Sequence, residues 1–183
     1  MTKWLQLDER LLCETKFFDL RVKRLQPPGA GPEDDYFFIT TVDWANVIAL
    51  TPESEVVLVK QYRHAVDSYS LEIPGGMLGP GEDPRSGAVR ELQEETGYVA
   101  GRCHALGRVH PNPALMTNSC FFFFAPDVRL EASQALDPEE DLTVHLLPLA
   151  EIPAAIAAGR ITHSLTICSF FLLTSFFKDG AVF

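Results

Sequence analysis

Basic residues are scarce in this chain: 15 Lys and Arg stand against 25 Asp and Glu, for a formal net charge of −10. Affinity for duplex nucleic acid comes mainly from phosphate neutralisation by Lys and Arg, so no nucleic-acid partner is expected. A small anionic substrate stays open, because a bound divalent cation reverses the local field even on an acidic protein. Cysteine is sparse as well. Cys13, Cys103, Cys120 and Cys168 are scattered, without the short spacing of a zinc site or the density of a disulfide scaffold. They read as reduced thiols of a cytoplasmic protein. Long apolar runs are missing: the most apolar window, Leu165–Phe177, is too short for a comfortable membrane span and is broken by Thr and Ser. It reads as a buried or amphipathic terminal helix, and no membrane partner is expected. The opening stretch, MTKWLQLDERLL, has charges where a signal peptide needs an apolar run. What the chain does have is 46% apolar residues over 183 positions, enough for a real core in one domain or one domain with a small appendage.

Along the chain, residues 1–45 read as a strand-rich N-terminal β-subdomain. KFFDLRVKRLQ alternates, with Phe18, Leu20 and Val22 on one face and Asp19, Arg21 and Lys23 on the other. Pro27–Asp35 is a loop, and DYFFITTVDW is β-rich again. From residue 46 to residue 183 the pattern predicts a larger α/β body. ANVIAL and EVVLVKQYR are short apolar strands either side of a TPES turn. SLEIP is a further strand, ended by the two glycines, and GPGEDP is a loop. Asp83 then Pro84 reads as the cap and first residue of a helix running to about Thr96, with Gly97 as its left-handed stop. Strands are expected at CHALGRV, SCFFFFAPDV and LTVHLLPL, and helices at PLAEIPAAIAAG and HSLTICSFFLLTSFF. The four consecutive phenylalanines read as a strand buried on both faces.

The helix carries the chemistry. Glu91, Glu94 and Glu95 stand at i, i+3 and i+4, on one helical face, where like charges destabilise one another. Ala88, Val89, Leu92 and Thr96 are the residues offered to the interior. Arg90, four residues before Glu94, is spaced for one intrahelical pair, which leaves a carboxylate stripe with little compensation. Hard divalent cations resolve such repulsion, since Mg²⁺ takes one or two carboxylates together with substrate phosphates. Gly75 and Gly76, just upstream, allow a tight turn and a close backbone approach to an ion.

The spacing Gly76, Glu82, Arg90-Glu91-Leu92-Gln93-Glu94-Glu95-Thr96-Gly97-Tyr98 resembles the Nudix box, G-x5-E-x7-R-E-U-x-E-E-x-G-U with U bulky and apolar. Every fixed identity is present, and the one soft departure is Tyr98 at the final apolar position. The resemblance implies an α/β fold: a Nudix α/β/α sandwich with a mixed sheet, here with the small N-terminal antiparallel β-subdomain added. It also implies hydrolysis of a nucleoside diphosphate linked to another moiety, with Mg²⁺ or Mn²⁺. Carried over, Glu91 and Glu95 become the main metal ligands, Glu94 joins them or holds metal waters, Glu82 supports a further ion, and Gly75 supplies a carbonyl. Arg90 orients the carboxylates, while Gly76 and Gly97 are structural.

The flanks resemble the ADP-ribose and nucleoside diphosphate sugar pyrophosphatase branch: Gln61-Tyr62-Arg63 at a strand end, Leu71-Glu72-Ile73-Pro74-Gly75-Gly76 leading into the box, and Pro113 beyond it. In that reading Arg63 contacts the diphosphate, and Glu72 reaches the metal region or braces Arg63. The general base lies on the Asp137–Asp141 loop, at Glu140 or, second, Glu139. Trp44, Tyr36 and Phe37 are candidate platforms for the base, and His110, His145 and His163, without triad or metal spacing, read as structural or surface residues. Relatives exchange the N-terminal β-subdomain between the subunits of a homodimer, which makes a homodimer the expected state. Two alternatives remain at this stage. One is a Nudix pyrophosphatase for dinucleoside polyphosphates, coenzyme A or oxidised nucleotides; the other is a non-catalytic ADP-ribose-binding module.

Overall fold

The computed structural model describes residues 3–29, 31–138 and 140–178. The chain divides into two compact units. The first takes in the residues up to Asp43 together with Val109–Ser119, and the second runs over Trp44–Arg108 and from Cys120 onward.

In the first unit, β1 (Leu5–Glu14), β2 (Asp19–Gln26) and β3 (Asp34–Thr40) form an antiparallel sheet in that order. The alternation read in the second strand survives only partly. Val22 is buried, but Phe18, in the turn that precedes β2, is 43% exposed. The 109–119 segment returns to this sheet: the Ile39 N–H donates to the Leu115 carbonyl and the Thr117 N–H to the Ile39 carbonyl.

The second unit is built on a seven-stranded mixed sheet. Its strands are β4 (Trp44–Leu50), β5 (Glu55–Arg63), β6 (Ser68–Glu72) and β7 (Gly75–Met77). After α1 (Pro84–Thr96) and the short β8 (Tyr98–Val99) come β9 (His104–Val109) and β10 (Cys120–Ala125). The minor β11 (Arg129–Leu130) pairs with β8, and β12 (Leu142–Pro148) completes the sheet, whose order is β12-β5-β4-β10-β9. Strand β10 runs parallel to β4, while β5, β6, β7 and β12 join by antiparallel pairing. Two further helices follow, α2 (Ile152–Ala157) and α3 (Ser164–Lys178).

Strand alternation assigns the layers. Ala45, Val47, Ala49, Phe123 and Ala125 share one cluster with Ala88 and Leu92 of α1. Phe124, one residue on and facing the other way, meets Phe176 and Phe177 of α3. Helices therefore cover both faces, and the Phe-rich strand is buried between them, as its composition suggested. No described helix is long and apolar enough to cross a membrane.

One local expectation is corrected. The two glycines do not end the preceding strand: Gly75 and Gly76 open β7 and pair with Asn46 and Ala45 of β4. Strand β6 stops at Glu72, and Pro74, which has no N–H to give a ladder, marks the break.

Candidate active site

Helix α1 begins as its sequence dictates. The Asp83 carboxylate accepts from the Ser86 N–H at 3.0 Å, and Pro84 fills the first turn, where an N–H would have no partner. It ends at Gly97, whose φ of 75° is the left-handed stop. Between these ends the helix turns Ala88 and Leu92 into the core, with Val89 only partly covered, and carries two of its acids inward beside them. Glu91 and Glu95 are both buried.

The acids are not left uncompensated, which corrects the sequence expectation. Arg90 makes more than the single pair its spacing suggested. Its Nε donates to Glu82 at 2.9 Å and its Nη2 to the other Glu82 oxygen at 3.1 Å. Its Nη1 donates to Glu91 at 2.9 Å and to Glu94 at 2.8 Å. A planar guanidinium with five donors serves three carboxylates where an ammonium would not hold this geometry. Among the described residues, no three His, Cys, Asp or Glu side chains stand as a ready-made metal cage; Arg90 sits between them instead.

The surroundings push the acids in opposite directions. Arg90 and the Gly79 N–H, which donates at 2.8 Å, hold the Glu82 carboxyl down at about 2. Burial pushes Glu91 up, against the pull of Arg90 and with added repulsion from Glu94 and Glu140. Burial pushes Glu95 up further, to about 8; the Gly75 N–H and Arg63 offset part of this, while Glu91 and Glu140 add to it.

Strand β7 brings the backbone against these acids. The Gly75 N–H donates to Glu95 at 2.9 Å. At Gly76 a Cβ would lie 2.6 Å from Glu91 Oε1, so a side chain there would push that carboxylate from its place against the strand.

Arg63, at the end of β5, grips Glu72, at the end of β6, through two bonds of 2.8 and 2.6 Å. Glu72 is 2% exposed, whereas the Arg63 side chain keeps 44% exposure. Burial pushes the Glu72 carboxyl up, but Arg63, His163 and Ser70 outweigh it and leave the group below the usual carboxylate range. The same pairing raises Arg63, helped by Glu95, which places the guanidinium within the electrostatic reach of the α1 acids.

Glu140 is exposed, and its carboxylate accepts from the Asp137 N–H at 3.0 Å. Its charge is felt at both Glu91 and Glu95. Glu139 lies outside the described residues. Two contacts escaped sequence reasoning: Gln134 Nε2 donates to the Glu95 carbonyl at 2.6 Å, and the Ala135 N–H to the Glu94 carbonyl at 2.8 Å. They tie the start of the acidic loop to free carbonyls at the end of α1. No motif announces them, because main-chain acceptors leave no trace in side-chain identity.

Of the remaining candidates, Trp44 is half-buried at the start of β4, opposite Met77 of β7. Tyr36, Phe37 and Pro113 are exposed residues of the first unit.

The geometry has counterparts among known proteins. The NUDIX domain family matches residues 41–165. The ADP-ribose pyrophosphatase of Bacillus subtilis (strain 168) is 30% identical over 166 residues, 87% of this chain and 89% of that protein. The methanol dehydrogenase activator of Bacillus methanolicus is 36% identical over 122 residues, 66% of each chain. A crystal structure of an ADP compounds hydrolase superposes with a TM-score of 0.87 over 100% of this chain and 98% of that one, at 21% identity, a likeness of fold. With the complete acidic motif on α1 and this match across most of its length, the chain belongs to the NUDIX domain family and is a Nudix hydrolase.

Proposed function

We propose that this enzyme hydrolyses the diphosphate of ADP-ribose or a nucleoside diphosphate sugar, using Mg²⁺ or Mn²⁺, to give a nucleoside monophosphate and a sugar phosphate. The observation that carries the reading is the buried pair Glu91 and Glu95 against β7. Both carboxyls are raised by burial, and Glu95 has a backbone N–H rather than a cation as its partner. Desolvated carboxylates with hard oxygen donors fit a divalent cation, which would supply the missing positive charge. Glu91 and Glu95 would hold it, with the Gly75 carbonyl, Glu94 and Glu82 in support. When bound, the cation neutralises diphosphate charge and acidifies a water.

The chain's own groups do the rest. Arg63 presents its exposed guanidinium to the diphosphate while Glu72 holds it from behind. Glu140, outside the Arg90 cluster yet electrostatically linked to both buried acids, takes the proton of the attacking water. Glu139 is the second candidate. Arg90 aligns the acids without meeting the substrate. Trp44 is the candidate platform for the base. The ADP-ribose preference is supported by the QYR and LEIPGG flanks and by the name of the Bacillus subtilis relative.

A homodimer is supported by the first unit. Trp4, Leu5, Leu7, Leu11, Leu12, Phe17, Phe18, Tyr36 and Phe37 are all at least 41% exposed, a concentration of uncovered large apolar side chains in one small sheet that suits a protein–protein interface. A cytoplasmic site of action accords with the free cysteines.

The test is incubation with ADP-ribose, ADP-glucose, GDP-mannose and UDP-glucose, with Mg²⁺, Mn²⁺ or EDTA, resolving products by chromatography. AMP and ribose 5-phosphate from ADP-ribose, abolished by EDTA, are expected. Cleavage of dinucleoside polyphosphates or coenzyme A in preference to all four would overturn the substrate assignment.

A further inference from the structure

His163 carries no motif and no metal-ligand spacing, yet the fold puts it behind the arginine that meets the diphosphate in the reading above. It lies just before α3, and its Nδ1 is 3.3 Å from Glu72 Oε2 and 3.1 Å from Thr166 Oγ1. Thr166 is fully buried and accepts from the Ile73 N–H at 3.2 Å, which ties the start of α3 to the residue after Glu72. Glu72 therefore stands between two cationic or donor groups from different elements. Arg63 approaches from β5, and His163 approaches from the turn into α3.

The two neighbours of Nδ1 differ in what they can accept. An ionised carboxylate only accepts hydrogen bonds, so the 3.3 Å approach of Nδ1 to Glu72 Oε2 is favourable when Nδ1 carries the proton, while the hydrogen bond that Nδ1 makes in the structure is to Thr166 Oγ1. Thr166 Oγ1, 3.1 Å from the same nitrogen, is a hydroxyl that can accept from it or donate to it. Without His163, the 2% exposed carboxylate keeps Arg63 on both oxygens but loses the neighbour that fixes its torsion from the α3 side. The guanidinium it holds by two parallel bonds would turn with it.

We propose that His163 is a positioning residue: its Nδ1–H holds Glu72 so that the Arg63 guanidinium is presented to the diphosphate of the substrate. The proposal rests on the assignment of Arg63 to the diphosphate. It links the start of α3 to substrate affinity. It also makes the chemistry at the buried acids indifferent to His163, because Arg63 binds the ground state and the transition state alike. The expected signature is a change in KM with little change in kcat.

The experiment compares two polar replacements of similar bulk on the full chain. His163→Asn keeps an amide N–H near the Nδ1 position, whereas His163→Gln moves it out to the Nε2 position. With ADP-ribose and saturating Mg²⁺, H163Q is expected to raise KM about tenfold with kcat within about twofold, the size of one charge-assisted bond lost at one remove. H163N is expected to restore KM to within about twofold of the parent. Arg63→Ala serves as the control for the underlying assignment. If R63A raises KM and H163Q does not, or if H163N and H163Q behave alike, the role of His163 is overturned while the function stands. If R63A leaves KM unchanged, the assignment of Arg63 fails, and this inference fails with it. A measurement on the unaltered protein needs no variant. Imidazole ¹⁵N shifts of labelled enzyme should show His163 protonated at Nδ1, and a neutral Nε2–H ring would overturn the proposal.

Discussion

Glu82 and Glu95 belong to one acidic motif, yet the two ends of that motif are different environments. Glu82 lies in the loop before α1, takes both bonds of the Arg90 fork and a backbone N–H, and is held down at about 2. Glu95 lies two residues before the helix stop, is 3% exposed, and is pushed up to about 8. The outer acids are already neutralised by a side chain of the same helix. Of the inner acids, Glu91 shares Arg90 with the outer ones, while Glu95 has a backbone N–H and no side-chain cation bonded to it. A stripe of like charge on a helix is thus two things here: an ion cluster around Arg90 that takes in Glu82, Glu91 and Glu94, and a desolvated Glu95 outside it.

The largest effect that would sharpen this contrast is on catalysis. Glu95→Gln should lower kcat/KM for ADP-ribose on the order of 10²–10³-fold, the loss expected for one electrostatic contact to the reacting group. The metal-free variant should stay as stable as the parent, or become more stable, near pH 8. Activity within a few-fold of the parent would remove Glu95 from the cation site.

A second way to break the comparison is steric. Gly76→Ala places a methyl 2.6 Å from Glu91 Oε1, so either β7 or that carboxylate must shift. A drop of about 10- to 100-fold in activity is expected, as for other changes that displace a metal-holding carboxylate. A crystal structure of the variant with Glu91 unmoved would count against the close approach being needed.

Third comes pH. The Glu95 carboxyl is raised from an ordinary 4.5 to about 8 in the folded state. Between those values the folded protein keeps a proton that the unfolded chain has released. Stability of the metal-free protein should therefore fall as pH rises from about 5 to 8, by at most about 1.4 kcal/mol per pH unit from this group. Added Mg²⁺ should flatten that slope, and E95Q should reduce it to the part that the raised Glu91 contributes. Thermal melts in EDTA across that range provide the check, and a rising melting temperature would contradict the assignment.

The smallest effect is at the outer end. Glu82→Gln removes ion pairs that are partly open to solvent, so a loss of only a degree or two in melting temperature and a few-fold in activity is expected. An effect as large as that of E95Q would erase the difference between the two ends.

Much of the fold was legible in the residues because local rules act there. Asp83, Pro84 and Gly97 bound α1 through capping and backbone preference, and the apolar runs of β4, β5 and β10 mark buried strands. Other features were hidden. Gly75 and Gly76 read as a stop and proved to be a strand, since pairing with β4 is a contact that no local pattern encodes. Arg90 read as one i,i+4 partner and proved to serve three acids, since Glu82 reaches it only when the loop folds back over the helix. The exposed leucines of β1 were invisible as such, because alternation tells which residues share a face and not whether that face is covered.

By itself, then, the order of residues decided the helix, its caps, the identity and spacing of its acids, and the family to which they belong. These depend on interactions within a few turns of chain. Which acid is buried, which is neutralised, and which histidine stands behind Arg63 were decided only by tertiary packing. Burial and ion pairing depend on groups brought together from distant positions, and a carboxyl's proton affinity follows its surroundings rather than its place in a motif.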